Sequence, residues 1–150
     1  MTGCLIGADS IIINGRALVD FGNGDNAVLT FANNISNTSR GKNRNVVSAK
    51  NEMGKMGELE LRVLVGSDDD KFLNSIFSTF DSDPSSFVFT SGEFIKKVGD
   101  GANNITNVDY VLTSGTPLKL PETKSNVEGD IEQCIAVYKF TFGNVDRALT

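Results

Sequence analysis

The side chains that could do chemistry in this sequence are mainly carboxylates, because the chain contains no histidine. That composition excludes Ser-His-Asp and Cys-His nucleophile systems in their usual form, and zinc sites that depend on imidazole. The run Asp68, Asp69 and Asp70 could hold a metal ion, but acids at the start of a helix suit its dipole, which suffices to explain them. Glu58 and Glu60 could act as a carboxylate pair. They alternate with apolar residues, however, so the solvent-exposed face of a strand explains their spacing better. We therefore predict a protein that is not an enzyme and has no metal or cofactor.

Phosphate-binding and cysteine-based motifs are also weak. Gly41-Lys42 is followed by Asn43 and lacks the glycine spacing of a Walker loop, and no GxGxxG follows a strand. Cys4 and Cys134 are too few for a disulfide scaffold. We expect both thiols to be reduced, with Cys134 filling core space in a strand.

The stretch 57–80 organises the predicted fold. Its first half alternates apolar and polar residues, which indicates a strand with one buried face. At Gly66 the period changes to that of a helix over about 67–80, with Ser67 as N-cap and Asp70 completing a capping box. The apolar stripe of that helix consists of Phe72, Leu73, Ile76, Phe77 and Phe80.

The remaining strands predict the fold class. Asn14-Gly15 between apolar runs indicates a tight hairpin, because a type I′ turn needs positive φ at both positions. The last strand, predicted over 131–142, is apolar on both sides, so both of its faces need cover. With about eight strands, we predict one α+β, mainly β domain spanning 1–150. It is built as two packed antiparallel sheets or a barrel, with the helix packed on the outside.

Two polar segments, 32–45 and 114–129, are predicted to be extended loops. The first is basic, and connections of that length are uncommon unless they have a function. It is either a surface loop or an arm that becomes ordered against a partner, with Arg40, Lys42 and Arg44 meeting acids there.

Charge is unevenly distributed along the 150 residues. The net charge of −5 argues against a general nucleic-acid binder. Residues 1–57 carry six basic and four acidic side chains, whereas 58–150 carry eight and fifteen. Such asymmetry allows copies of one protein to attract each other head to tail. We expect no membrane span, because no run of about eighteen apolar residues occurs, and no signal peptide.

The order of these features resembles a known family. An Asn-Gly hairpin is followed by the segment 20–25, a basic loop, the segment 45–54 and then 60–74. This pattern is similar to the tail tube proteins of contractile-tailed bacteriophages, which are related in fold to the tubes of phage-like bacteriocins and type VI secretion. The resemblance implies hexameric rings stacked head to tail into a hollow tube through which phage DNA passes without specific binding. It also implies sheath, baseplate, tape measure and terminator partners, and a location in the virion tail after assembly in the host bacterial cytoplasm.

On this resemblance, several charged residues become candidates for assembly. Glu58 and Glu60 are candidates for the lumen, where acids would repel DNA phosphates. The alternatives are a secretion-type or bacteriocin tube protein, or a non-catalytic β-rich decoration or binding module. The candidates for contacts between subunits are Arg40, Lys42, Arg44, Asp68, Asp69, Glu122 and Glu128.

Overall fold

The computed structural model describes residues 2–150, which form a mainly β structure with one α-helix and confirm the predicted fold class. The strands are β1 (Cys4–Leu5), β2 (Ser10–Ile13), β3 (Arg16–Ala17), β4 (Ala27–Phe31), β5 (Ser36–Arg40), β6 (Val46–Lys50), β7 (Gly57–Leu64), β8 (Thr90–Gly99), β9 (Ile105–Lys119) and β10 (Ile135–Leu149). The helix α1 covers Asp68–Ser82, and short 3-10 turns cover Pro84–Ser86 and Ile131–Cys134.

Residues 2–150 form two antiparallel sheets. The larger has the order β3-β2-β8-β9-β10-β7-β4, with β1 beside β8, and the smaller consists of β5 and β6. Among residues 2–150 neither sheet closes into a barrel by strand pairing. The chain between β3 and β4 nonetheless contacts both margins of the large sheet: Leu18 N donates to Ile11 O at 2.9 Å, and Leu64 N donates to Asp20 O at 2.9 Å. The large sheet is therefore strongly curled.

The core lies inside this curl and under α1. On β7 the predicted alternation is observed, with Leu59, Leu61 and Val63 buried. The ring of Phe77 on α1 packs edge-on against Tyr138 and Phe140 of β10, each with a centroid separation of 5.2 Å. Burial of each such side chain contributes roughly 1.5–3 kcal/mol. The helix thus covers the centre of the sheet, as its apolar stripe predicts.

The predicted hairpin turn and the predicted helix cap are both observed. Asn14 and Gly15 have φ of 50° and 82°, as a type I′ turn between β2 and β3 requires. Ser67 caps α1 by accepting from Asp70 N at 3.2 Å, and Asp70 Oδ2 in return accepts from Gly66 N at 2.8 Å. The helix begins with a reciprocal cap, one residue displaced from the usual capping box.

The two predicted loops contain more strand than expected. Residues 36–40 form β5, a polar strand with no apolar alternation, held by its partner β6; Thr38 Oγ1 and Ser48 Oγ lie 2.9 Å apart. Strand β9 continues to Lys119 through Pro117, close to a register shift between β9 and β10. Irregular pairing of this kind tolerates the missing amide of proline.

The last strand begins later than predicted. Asp130 Oδ1 accepts from Glu132 N at 3.2 Å and caps a 3-10 turn at Ile131–Cys134, so β10 starts at Ile135. As a result Cys134 is exposed, and the prediction that it fills core space is wrong.

Candidate assembly surfaces

The segment 36–50, here called the basic arm, is a hairpin of β5 and β6 in which every residue is exposed. Its tip is an ordered turn, since Gly41 N donates to Asn45 O at 2.7 Å and Arg44 has a positive φ of 70°. A two-stranded hairpin without a packed face has little stability of its own. The arm is therefore a projection that a partner surface can stabilise.

The basic arm presents charge and apolar surface together. Arg40, Lys42 and Arg44 have no carboxylate within 4 Å among residues 2–150. Val47 and Val46 are 72% and 50% exposed on the same hairpin. Cations without carboxylate partners and exposed valines thus occur together on one exposed hairpin.

A groove of about 710 Å³, here called the end groove, lies between the start of α1 and the segment 120–134. Its apolar residues include Val65 before α1, Leu120 after β9, and Ile135 and Val137 on β10. Leu120 and Val65 are 59% and 58% exposed. The charged residues around it are Asp70, Lys71, Glu122, Lys124 and Glu132.

The segment 120–134 is held in place by ion pairs. Lys124 lies against Asp130, and the hydrogen bond from Lys124 lowers the pKa of that carboxyl. Arg62 Nη2 donates to both oxygens of Glu132, at 3.2 and 3.1 Å. Glu122 is near Lys119, at 3.2 Å. These contacts hold the segment 120–134, which contains no β-strand, in one conformation next to the end groove.

Three of the predicted contact residues, Glu122, Glu128 and Asp68, are exposed on the surface of the single chain. The side chain of Glu122 is 84% exposed, and a surface pair such as Lys119–Glu122 costs little to rearrange. Glu128 is exposed and has no cation within 4 Å among the residues that the structure describes. Asp68 is likewise exposed at the start of α1.

Asp69, by contrast, makes all of its hydrogen bonds within the subunit. Its side chain is fully buried, and it accepts from Val19 N at 2.6 Å, from Asp20 N at 2.8 Å and from Arg16 Nε at 3.1 Å. No atom is left for a neighbouring copy, so the expected role in contacts between subunits is replaced by a structural one. Burial alone would raise the pKa of Asp69, but the two backbone hydrogen bonds and Arg16 together outweigh it and lower the pKa.

The carboxylate of the neighbouring Asp70 is also hydrogen-bonded within the subunit. The Tyr138 hydroxyl donates to Asp70 Oδ1, which ties the start of α1 to β10. Burial, and next the hydrogen bond to Asp70, raise the pKa of Tyr138 far above its usual value. The local capping signal in the sequence identified Asp70 correctly, but nothing local indicated the distant partners of Asp69.

The two lumen candidates lie on the outer face of the large sheet. Glu58 is exposed and Glu60 half-buried, and Glu60 is opposite Lys139 of β10 in the strand register. Arg62 lies on the same face of β7. This face is therefore mixed in charge, not purely acidic around the two glutamates.

Sequence reasoning missed a pair of carboxyl groups on this outer face. A hydrogen bond to Asp109 of β9, and next burial, raise the pKa of Glu93 on β8. The two residues are diagonal neighbours in the register, a relation that only the pairing of β8 with β9 reveals. Within residues 2–150 there is no group of three metal-ligating side chains, and no helix there has the length and apolarity to cross a membrane.

No protein-family model and no curated protein matches the sequence. The fold is similar to those of solved components of contractile injection systems. The chain matches the PVC sheath/tube terminator with a TM-score of 0.57 and 11% identity, over 97% of this chain and 94% of that chain. It matches a chain of the PVC sheath-tube complex with a TM-score of 0.58 and 11% identity, over 97% and 89%.

A third similar structure comes from a different system. The cap of the anti-feeding prophage, a tube terminating cap, matches with a TM-score of 0.56 and 12% identity, over 93% of this chain and 88% of that chain. Identities this low show a shared fold. That fold occurs in contractile-system components and does not separate a tube protein from a terminator or a cap.

Proposed function

We propose that this chain is a structural subunit of a contractile tail, and that copies of it stack as hexameric rings into the inner tube of a bacteriophage. The observation that carries the proposal is the shared fold, which extends over 97% of this chain and 89% of its match in a sheath-tube complex. The tube would meet sheath, baseplate, tape measure and terminator proteins in the virion, and DNA would pass through its bore.

An open sheet edge supports assembly from identical copies. Strand β4 pairs with β7 on one side and has no strand on its other side among residues 2–150. Edges of this kind pair readily with another chain, and a closed ring covers them. In such a ring we propose that the outer sheet face carrying Glu58 and Glu60 lines the bore, where carboxylates repel phosphates.

A terminator or cap subunit is the second candidate, because two of the similar structures are a sheath/tube terminator and a terminating cap. A terminator closes a tube and does not extend it. The two functions therefore differ in whether the purified protein polymerises.

Size-exclusion chromatography followed by negative-stain microscopy tests the proposal. A tube protein is expected to give six-fold rings at low concentration and hollow tubes at high concentration. Rings that never stack would favour the terminator. A protein that stays monomeric at high concentration would contradict both.

A further inference from the structure

Two carboxyl groups lie beside each other across the pairing of β8 with β9. Asp109 of β9 is the partner in register of Ile95, and Glu93 precedes Ile95 by two residues on β8. The two acids are therefore diagonal neighbours on one face of the sheet, where long side chains are within reach of each other. Phe94 and Tyr110 point the other way and pack against the core, which places the acids on the outer face.

Among residues 2–150, neither carboxyl group has a basic partner within 4 Å. The Oδ1 atom of Asp109 is buried and has no hydrogen-bond partner in that part of the chain. A buried carboxylate oxygen without a donor is costly, and two carboxylates that share a site resist being ionised together. One proton held between Glu93 and Asp109 relieves both costs, because a protonated carboxyl donates a hydrogen bond that a carboxylate accepts.

The charged groups around this pair favour protonation. On β10, Asp146 lies on the same face, and the hydrogen bond from Lys55 lowers the pKa of Asp146, so it keeps its negative charge at mildly acidic pH. On β8, Lys97 shares this face but has no carboxylate within 4 Å among residues 2–150, whereas Lys96 is on the opposite face and pairs with Asp9. Neither β2 nor the rest of β9 contributes a titratable side chain to this face near the pair.

The pair spans a ladder on which a whole margin of the large sheet depends. Among residues 2–150, strands β1, β2 and β3 pair only with β8 or with each other, and β8 joins the rest of the sheet only by pairing with β9. A register shift between Thr90 and Gly92 interrupts this ladder close to Glu93. Like charges on neighbouring strands destabilise their pairing, so the ionisation of the two acids affects how firmly this margin is attached.

We propose that Glu93 and Asp109 share one proton at mildly acidic pH and thereby hold β8 against β9, and that loss of this proton toward neutral pH loosens the margin formed by β1, β2, β3 and β8. Because the pair lies within one chain, the inference does not depend on the proposed function.

The direction of the pH dependence follows from Glu93. The hydrogen bond to Asp109, and next burial, raise the pKa of Glu93 from its ordinary value of 4.5, so the folded protein holds the proton more tightly than the unfolded chain. Its contribution to stability is therefore fully present below that ordinary value and is lost as the pH rises through the folded pKa.

Hydrogen exchange tests the proposal, with rates expressed as protection factors so that the intrinsic pH dependence of exchange is removed. In the unmodified protein, the amides of β8 and β9 are expected to lose about twofold to fivefold in protection between about pH 4.5 and pH 7, the size of a cross-strand charge pair. Glu93→Gln keeps a neutral side chain that can donate to Asp109 at every pH, so its protection in these strands should be the same at both pH values. Protection in the unmodified protein that does not change between the two pH values would overturn the proposal.

A second variant separates a shared proton from simple packing. Asp109→Asn removes the other charge and is expected to abolish the pH dependence as Glu93→Gln does, and combining the two changes should have no additional effect on it. Variants that alter protection by the same factor at both pH values would show a packing role only and overturn the proposal. The matched control is Glu128→Gln, an exposed site outside β8 and β9, which should retain the pH response of the unmodified protein.

Carbon-13 chemical shifts of the side-chain carboxyl groups, followed from about pH 3 to pH 8, measure the titration of Glu93 directly. We expect a midpoint above 4.5, its ordinary value, in the unmodified protein and a return toward that value in Asp109→Asn. A midpoint at or below the ordinary value in the unmodified protein would overturn the proposal. Rings and tubes enter neither measurement, so a failure here leaves the proposed function untouched.

Discussion

At the scale of single residues, the carboxylates divide into those that hold the subunit together and those that remain available to other copies. Asp69 has three donors around its buried side chain. Asp68, one residue earlier, is exposed. The sequence presents them as equivalent members of one acidic run, and only the fold distinguishes them.

Replacement of Asp69 by asparagine is expected to destabilise the protein by about 3 kcal/mol, because an amide group would face the Val19 and Asp20 backbone donors and the charge opposite Arg16 would be lost. Urea denaturation followed by circular dichroism measures the change. The matched control Asp68→Asn is expected to lose at most about 1 kcal/mol, the size of a helix-dipole contribution. Equal losses in the two variants would contradict the structural role of Asp69.

Comparison of the unmodified protein with Asp69→Asn also predicts a pH dependence. The pKa of Asp69 is lowered from its ordinary value of 3.8, so its contribution is fully present above that pH and is lost as the pH falls through the lower folded pKa. The asparagine side chain of the variant does not titrate. The stability difference between the two proteins should therefore be constant from about pH 5 to 7 and shrink below about pH 4; a difference that grows toward acid pH would contradict this.

At the scale of elements, the sequence predicts what local chemistry determines. The Asn14-Gly15 turn, the alternation of β7 and the cap of α1 each depend on residues within a few positions, and all three are observed. Strand β5 could not be predicted, because its polar residues form a strand only through pairing with β6. The end groove could not be predicted either, since residues near 65–74 and 120–138 meet only in the folded chain.

A close contact between β9 and β10 gives a prediction at this scale. A Cβ on Gly115 would lie 2.4 Å from Phe142 Cε1 and 2.7 Å from Thr90 O, too close for any side chain. Gly115→Ala is therefore expected to lower the free energy of unfolding by about 2 kcal/mol or more, as overpacking does. Gly143→Ala is the control, because its Cβ would approach Ser114 Cβ only to 3.3 Å. Denaturant midpoints that rank the two variants in the reverse order would contradict this packing.

At the scale of the whole molecule, two oppositely charged segments lie at the two ends of β7. The basic arm extends from one end, and the acid-rich segment 120–134 lies at the other. The proposed head-to-tail stacking follows from this separation. In the proposed ring, closure would depend instead on the sheet edges, so the two kinds of contact could be perturbed separately.

Stacking is therefore expected to be more sensitive to salt than ring formation. Exposed ion pairs are screened when the Debye length falls from about 10 Å at 0.1 M salt to about 3 Å at 1 M. Light scattering should report shorter tubes at 1 M salt while chromatography still shows rings. Tubes that lengthen with salt would indicate that apolar contacts, not the charged arm, dominate stacking.

Strand β7 also has a mechanical consequence. It leads from the arm to the groove and is paired with β10 on one side and β4 on the other. A pull applied between these two ends would run along this strand, so its ladders would be loaded in shear and their hydrogen bonds would have to rupture together. A subunit loaded in this way would resist stretching between the arm and the groove, whereas the turns that flank β7 would yield first.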